Sequence, residues 1–450
     1  MTKSRPFPFK AYVGRLTVGE ETWPFRFKVA QDASGVLRFL VPPIPYTAET
    51  AALSRALDGL GKGAAFFKLF GETPDGARFQ SDHMTVRYHG HRSTPRTSHL
   101  LLRFRTSKAT LTRQAEGQAR PFIRLSLRGF EAFPHLHAQS PLGDVTMAGA
   151  YPAPRGTRLS GLLQVVATST PADFNTWRSQ AEALALHLLS CMSLAASRNL
   201  KGLVQETWDG GTMEETFYAN TDRRGTGQPV VHPMMRQSFF DCAVRAHSQP
   251  PVGAKNLSYA IEWFAMDAGY TELRLLHAMT ALENLADLNL SPAETRMLPR
   301  KRFEVIAKAM RDAARAASVD AENAADFIKA LPGRMEDLNR RSLADKILLL
   351  GERWGVPLAD LLQGDGLPRA IRARNVIVHR GWYYEPANDT PESRDLWDHV
   401  RLMREIVVRF VFVALGYQGQ YLVYGGSVRQ AAFPPRPGSS PGDSATGPAV

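Results

Sequence analysis

The sequence predicts an α+β protein: a β-rich, sandwich-like N-terminal domain followed by an all-α helical bundle. Three observations predict it. Residues 1–170 hold short runs of alternating apolar and polar residues, the period of a half-buried strand. From about residue 171 apolar residues recur at three-and-four spacing, the period of an amphipathic helix. The chain has 450 residues, enough for two or three domains at about 100–200 residues each.

The strands are read from "AYVGRLTV", "FRFKVA", "GVLRFLV", "AFFKLFGE", "MTVRYHG", "HLLLRFRTS", "PFIRLSLRGF" and "GLLQVVATS". Turn chemistry separates them at "DASG", "TPDG" and "PRGT". Their regular spacing suits an antiparallel sandwich or a twisted sheet. Within "IRLSLR", Ile123, Leu125 and Leu127 point one way and Arg124, Ser126 and Arg128 the other. Leu102 and Phe104 oppose Arg103 and Arg105 in the same manner. Residues 84–130 contain ten Lys or Arg and one acid, Glu116. Either a basic face for phosphates or an acidic partner, or a solvated outer face, gives this pattern. His83, His89, His91 and His99 also gather here. His89 and His91, two apart on a strand, share a face. The nearest acid is Asp82, too little for a metal site, so solvated loop histidines are expected.

Residues 171–249 read as helix, hairpin and helix, and either complete the N-terminal domain or bridge to the next. "PADFNTWRSQAEALALHLLSCMSLAAS" is helical, "GLVQETWDGGTMEETFYAN" turns at Asp-Gly-Gly, and "MMRQSFFDCAVRA" is helical again. Residues 250–425 form the helical domain. Its first segment is one long helix or two, broken near Gly269. In its last helix Leu402, Ile406, Phe410 and Val413 oppose Arg401, Arg404 and Arg409. Short loops favour antiparallel packing. Residues 426–450, ending in "FPPRPGSSPGDSATGPAV", read as a disordered tail rich in Pro, Gly and Ser.

A net charge of +12 and a pI near 9.8 favour polyanionic partners, nucleic acid first. Cys191 and Cys242 form no CxxC pair, so no thiolate metal site is expected and a reducing cytoplasm fits. The N-terminus lacks an apolar signal core, and no apolar run reaches the length of a membrane span. The expectation is a cytoplasmic protein without membrane contact, cofactor or metal.

The chemistry concentrates in "RARNVIVHRGWYY", Arg372 to Tyr384. Here an otherwise apolar helix carries polar residues toward what the pattern makes the interior. Asn375 and His379 are four apart and share a helix face. Arg374 is five before His379, about 140° away on a helix of about 3.6 residues per turn. The pair converges if Arg374 precedes the helix, if its side chain wraps, or if two copies of the motif face each other. Such a set suits RNA cleavage by the 2′-hydroxyl. Histidine moves protons near neutral pH, and arginine stabilises charge building on phosphoryl oxygens. The nucleophile belongs to the substrate, so no metal is needed.

"RNVIVH" resembles the R-N/D/H-x-x-x-H signature of the HEPN ribonucleases. "RNVIVHRGW", with the upstream "HAMTALENLAD" helix, resembles the ApeA-like HEPN group of antiphage proteins. The likeness covers roughly residues 250–420 by motif and the rest by architecture. It implies a HEPN-type bundle and a metal-independent endoribonuclease acting in abortive infection, with tRNA among its candidate targets. It also implies a homodimer with the cleft at the dimer interface, and an N-terminal domain that senses a phage-derived trigger. By this resemblance Arg374 and His379 are the catalytic pair, Asn375 an accessory polar residue, and Glu283 an acid on the first long helix facing the motif. HEPN toxins silenced by an adenylating antitoxin often carry a tyrosine two residues after the histidine; here that position is Gly381, which argues against control of that kind.

Arg372, seven before His379, and Arg380 are candidate phosphate contacts, as are Arg300, Lys301 and Arg302, and Arg340 and Arg341. Lys308, Arg311 and Lys346 extend these clusters. Trp382, Tyr383 and Tyr384 offer faces for stacking bases, or close a core or a dimer seam. The alternative is a HEPN-like dimer that binds RNA or protein without cutting. A carbohydrate-binding β-sandwich fused to a helical module rests on architecture alone.

Overall fold

The computed structural model describes residues 7–32, 35–60, 66–94, 97–115, 117, 120–128, 135–149, 159–219, 228–266, 268–317, 324–383, 396–424 and 427–435. The fold is α+β, with a large antiparallel sheet in the N-terminal half and a helical region after it. The chain divides into two compact units: Met1–Arg224 with His232–Ser248, and Gly225–Val231 with Gln249–Val450.

The first unit contains β1 (Lys10–Val18), β2 (Glu21–Gln31), β3 (Leu37–Leu40), β4 (Ile44–Pro45), α1 (Ala48–Leu60), β5 (Phe67–Glu72), β6 (Arg78–Ser93), β7 (Ser98–Thr106) and β8 (Lys108–Gln114). It continues with β9 (Phe122–Arg128), β10 (Leu136–Ser140), β11 (Gly143–Gly149), β12 (Leu159–Val166), α2 (Phe174–Ala196), β13 (Gly202–Trp208), β14 (Thr212–Tyr218) and α3 (Arg236–Ser248). The strands form one 14-stranded sheet in the order β10-β11-β12-β9-β13-β14-β8-β6-β5-β1-β2-β3, with β7 on β6 and β4 on β7.

This sheet curls. Phe7 continues the line of β1, its carbonyl accepting from the Gln31 amide. Its ring centroid lies 6.3 Å from that of Phe217 on β14. β1 and β14 stand four places apart, about 19 Å in a flat sheet at about 4.8 Å per strand. Only a curled sheet brings them together. The two layers are therefore parts of one hydrogen-bonded sheet, around a core that includes Tyr12, Trp23, Phe27, Phe79, Phe104 and Phe217, closed by Leu53 and Leu57 of α1.

The hairpin around residues 209–211 is β13 and β14, with Trp208 opposite Met213. It lies inside the large sheet, β13 on β9 and β14 on β8. Asp173 caps α2, accepting from the Asn175 and Thr176 amides at 3.0 and 3.3 Å. The 171–249 segment thus belongs to the first unit, apart from residues 225–231 and Gln249.

Two sequence expectations change here. His89 and His91 share a face of β6, as their spacing predicts, but both reach α1 instead of standing free in loops. Ser54 Oγ is 2.8 Å from His89 Nε2 and 3.5 Å from His91 Nε2. The acid that reaches His89 is Asp58 of α1 at 3.0 Å, not Asp82. Arg124, expected on an open basic face, is largely buried. Its Nη1 lies 3.2 Å from Glu206 Oε2 and its Nε donates to Gln164. Arg103 and Arg105 do face solvent.

The second unit contains α4 (Leu257–Ala265), α5 (Thr271–Asn289), α6 (Arg300–Ala317), α7 (Ala324–Leu338), α8 (Leu343–Trp354), α9 (Gly366–Arg380), α10 (Leu396–Leu415), β15 (Gly419–Tyr424) and β16 (Val428–Phe433). The first helical segment is two helices, α4 and α5. Helices α5 and α10 pack together, and each also packs against α4, α8 and α9. A Ser342–Asp345 capping box starts α8 and Gly355, at φ +66°, ends it. The helical unit closes with the antiparallel hairpin of β15 and β16. Residues 428–433, read from sequence as tail, are thus a strand; residues 436–450 lie outside the described residues. Among the described residues no helix is long and apolar enough to cross a membrane.

Helix α10 is not amphipathic in the expected sense. Arg409 is buried, its Nη1 and Nη2 forked onto Asp360 at 2.5 and 2.7 Å and its Nε on Glu405 at 3.2 Å. The Tyr421 hydroxyl donates to the same Glu405. Burial pulls the Arg409 pKa down, but the Asp360 bonds and the charges around it outweigh that, and the net direction is up. A buried guanidinium persists because its donors and its charge are both satisfied.

Candidate active site

Helix α9 presents the motif. Ala370, Ala373 and Ile377 are its buried face, against α10, α5 and α8. The positions between them look outward, so Asn375 and His379 are exposed and Arg374 is half-buried. The expected interior placement of Asn375 and His379 is therefore corrected: apolar neighbours on the other face anchor the helix, and the polar residues face solvent.

Arg374 Nη2 lies 3.5 Å from Glu283 Oε2 on α5, and Arg374 Nη1 donates to Asn375 Oδ1 at 3.2 Å. Glu283 is itself half-exposed. One chain thus brings together Arg374, Asn375 and Glu283. Asn375 serves Arg374 rather than His379. His379 stands one turn on, in the last turn of α9 with Arg380, where the helix C-terminus favours cations.

The helix ends at Gly381, whose φ of +82° is left-handed and whose N–H bonds the Ile377 carbonyl. The glycine is a backbone requirement, since a side chain there meets open space but a disfavoured φ. Beyond it Trp382 is exposed, and the Tyr383 ring lies 6.2 Å from His399. Tyr384 lies outside the described residues.

The basic candidates separate into groups. Arg372 is exposed, 3.8 Å from Asp365, while Arg369 holds the same carboxylate at 2.6 Å. Lys301 and Arg302 are exposed on α6. Arg300 and Arg340 line one groove of about 660 Å³ with Arg296, Arg311 and Lys346. Acids temper it: Arg300 pairs with Glu304 at 2.8 Å, and Lys346 with Asp287 at 2.8 Å. Asp287 is one turn from Glu283 on α5, so the groove wall begins one turn from the carboxylate that holds Arg374. Arg341 does not join this surface. Its Nε donates to the Glu294 carbonyl at 2.9 Å and its amide to the Thr295 carbonyl, so it fixes the turn before α6.

Among the described residues no three His, Cys, Asp or Glu side chains are grouped to hold a metal. Sequence reading missed a second polar site, Arg274, His277 and Arg404, which line a separate cavity. Their one-dimensional spacing gives no signal for it. No protein-family model matches the chain, and no match was found among curated proteins or solved structures.

Proposed function

We propose that this protein is a HEPN-type, metal-independent endoribonuclease of antiphage defence. The observation that carries the proposal is the Arg374 guanidinium, held by Glu283 and Asn375 on the outward face of α9, with exposed His379 one turn away. Its chemistry is transesterification. The 2′-oxygen attacks phosphorus, the 5′-oxygen leaves, and the products are a 2′,3′-cyclic phosphate and a 5′-hydroxyl. Imidazoles take the proton from the 2′-hydroxyl and deliver one to the leaving oxygen. Arginine forks onto the non-bridging oxygens, where charge builds.

Arg374 and His379 diverge around α9, which supports a homodimer in which Arg374 of one copy and His379 of the other meet on one phosphate. The groove of Arg300 and Arg340 is the path for the rest of the RNA, with tRNA among the candidate substrates. The resemblance of "RNVIVHRGW" to the ApeA-like group supports a cytoplasmic abortive-infection effector whose first unit senses a phage-derived trigger.

The test is RNA cleavage by purified protein in EDTA, with a phage lysate as the source of trigger. The expected result is cleavage by the wild type and none by His379→Ala or Arg374→Ala, with both variants folded. A folded dimer that binds RNA and leaves it intact under the same conditions would establish the alternative, a non-catalytic binding module.

A further inference from the structure

The second unit holds a partly open cavity of about 140 Å³ that the nuclease reading does not use. It lies among α4, α5, α10 and the β15 hairpin strand, with Phe264, Trp397 and Tyr424 as its aromatic walls. Arg274, His277, Arg401, Arg404 and Gln228 supply its polar groups; Arg401 pairs with Asp398, and no described Asp or Glu lines the cavity itself.

Arg404 is the unusual member. It is set deep in the unit yet keeps accessible surface, and it lines the cavity. Its guanidinium carbon sits 4.8 Å from the Phe264 ring centroid and 5.6 Å from that of Tyr424. Its Nη2 donates to the Gln228 carbonyl at 2.8 Å. Among the described residues no carboxylate pairs with it, in contrast to Arg409 on the same helix, which has two. Burial and the nearby charge of Arg274 depress its pKa to about 10, against the pull of Tyr424 and Glu405. Arg274 in turn covers the Trp397 ring at 5.3 Å. His277 keeps Nδ1 buried without a hydrogen-bond partner among the described residues.

Guanidiniums stacked on rings are held flat, which leaves N–H edges to fork onto a tetrahedral anion. A buried cation without a carboxylate is costly, and a bound anion removes that cost. A cavity of about 150 Å³ admits a benzene ring, so this one takes a phosphoryl group or a single ring, not a polymer.

We propose that this cavity binds the phosphoryl group of a small phosphate monoester, with the phosphate on Arg274 and Arg404 and the rest of the ester at the open side of the cavity. The site is separate from the α9 motif and does not depend on the nuclease reading.

The experiment is calorimetric titration of the full chain with UMP, uridine and inorganic phosphate, alongside thermal unfolding with each. UMP is expected to bind and raise the unfolding midpoint. Inorganic phosphate is expected to compete with it, and uridine to bind at least about tenfold more weakly. Arg274→Gln, at the partly exposed side of the cavity, weakens UMP about tenfold or more. Arg404→Gln does the same if it folds, and His379→Ala leaves UMP affinity unchanged. Absence of UMP binding, equal affinity for uridine, or UMP affinity that falls in His379→Ala but not in Arg274→Gln would overturn the proposal.

Discussion

The Arg374 guanidinium on α9 lies 3.5 Å from the Glu283 carboxylate on α5. The two residues are far apart in sequence, and both are partly exposed. A pair of this kind contributes little to folding, about 0–1 kcal/mol. What it does is fix the direction of a long, flexible cation. Glu283→Gln is therefore expected to leave the urea midpoint nearly unchanged while RNA cleavage falls on the order of a hundredfold, through misplacement of Arg374. The loss should appear in kcat more than in KM, and Glu283→Asp should recover part of it. Equal loss of stability and activity would make Glu283 merely structural.

Arg374 and His379 sit about 140° apart around one helix of about 3.6 residues per turn. If two chains complete the site, mixed subunits rescue each other. Inactive Arg374→Ala and inactive His379→Ala protein, unfolded together and refolded, should regain measurable cleavage. No regain in verified mixed dimers would mean that each chain holds its own site.

The buried cluster of Arg409, Asp360, Glu405 and Tyr421 holds α10 to the 357–360 turn and to β15. Arg409→Met strands two carboxylates and should destabilise the second unit by about 3–5 kcal/mol. Denaturant unfolding measures it, and a change under about 1 kcal/mol would contradict the assignment.

His187 on α2 is held down to about 4 by burial first and then by the charge of His247, against its bond to the Ala243 carbonyl. Its folded pKa lies below the ordinary value of 6.5. The neutral ring therefore contributes stability above pH 6.5, and this is lost as pH falls from 6.5 through about 4. The loss amounts to about 3 kcal/mol. Glu206 and Glu215 act in the opposite sense. Burial raises both, so their contribution is present below the usual carboxylate range and is lost as pH rises. His187→Gln should flatten the acid limb of a stability-against-pH curve. An unchanged acid limb would assign it to other groups.

Much of this was legible in the sequence. Alternation marked the strands, Asp-Gly-Gly marked the β13–β14 turn, and the region near Gly269 separated α4 from α5. The motif's helix was also readable from its spacing of three and four, while its acidic neighbour Glu283 came from the resemblance of the "HAMTALENLAD" helix. Arg409 was not. Periodicity placed it on a solvated face, and its burial depends on a fork onto Asp360, 49 residues earlier in the chain, beside its bond to Glu405. Arg124 was misjudged for the same reason, its partner Glu206 being 82 residues away. Asn375 and His379 looked interior because α9 is apolar in composition, but one narrow stripe through Ala370, Ala373 and Ile377 suffices to seat the helix. The Arg404 cavity left no trace in the sequence, since α4, α5, α10 and β15, far apart along the chain, assemble it together.

The most direct test of the central claim is the mass of the products from a short RNA incubated with triggered protein in EDTA. Fragments ending in 2′,3′-cyclic phosphate and 5′-hydroxyl, absent with His379→Ala and absent when the scissile ribose is 2′-deoxy, are the predicted result. Intact RNA, or cleavage that proceeds equally at the deoxy position, would contradict it.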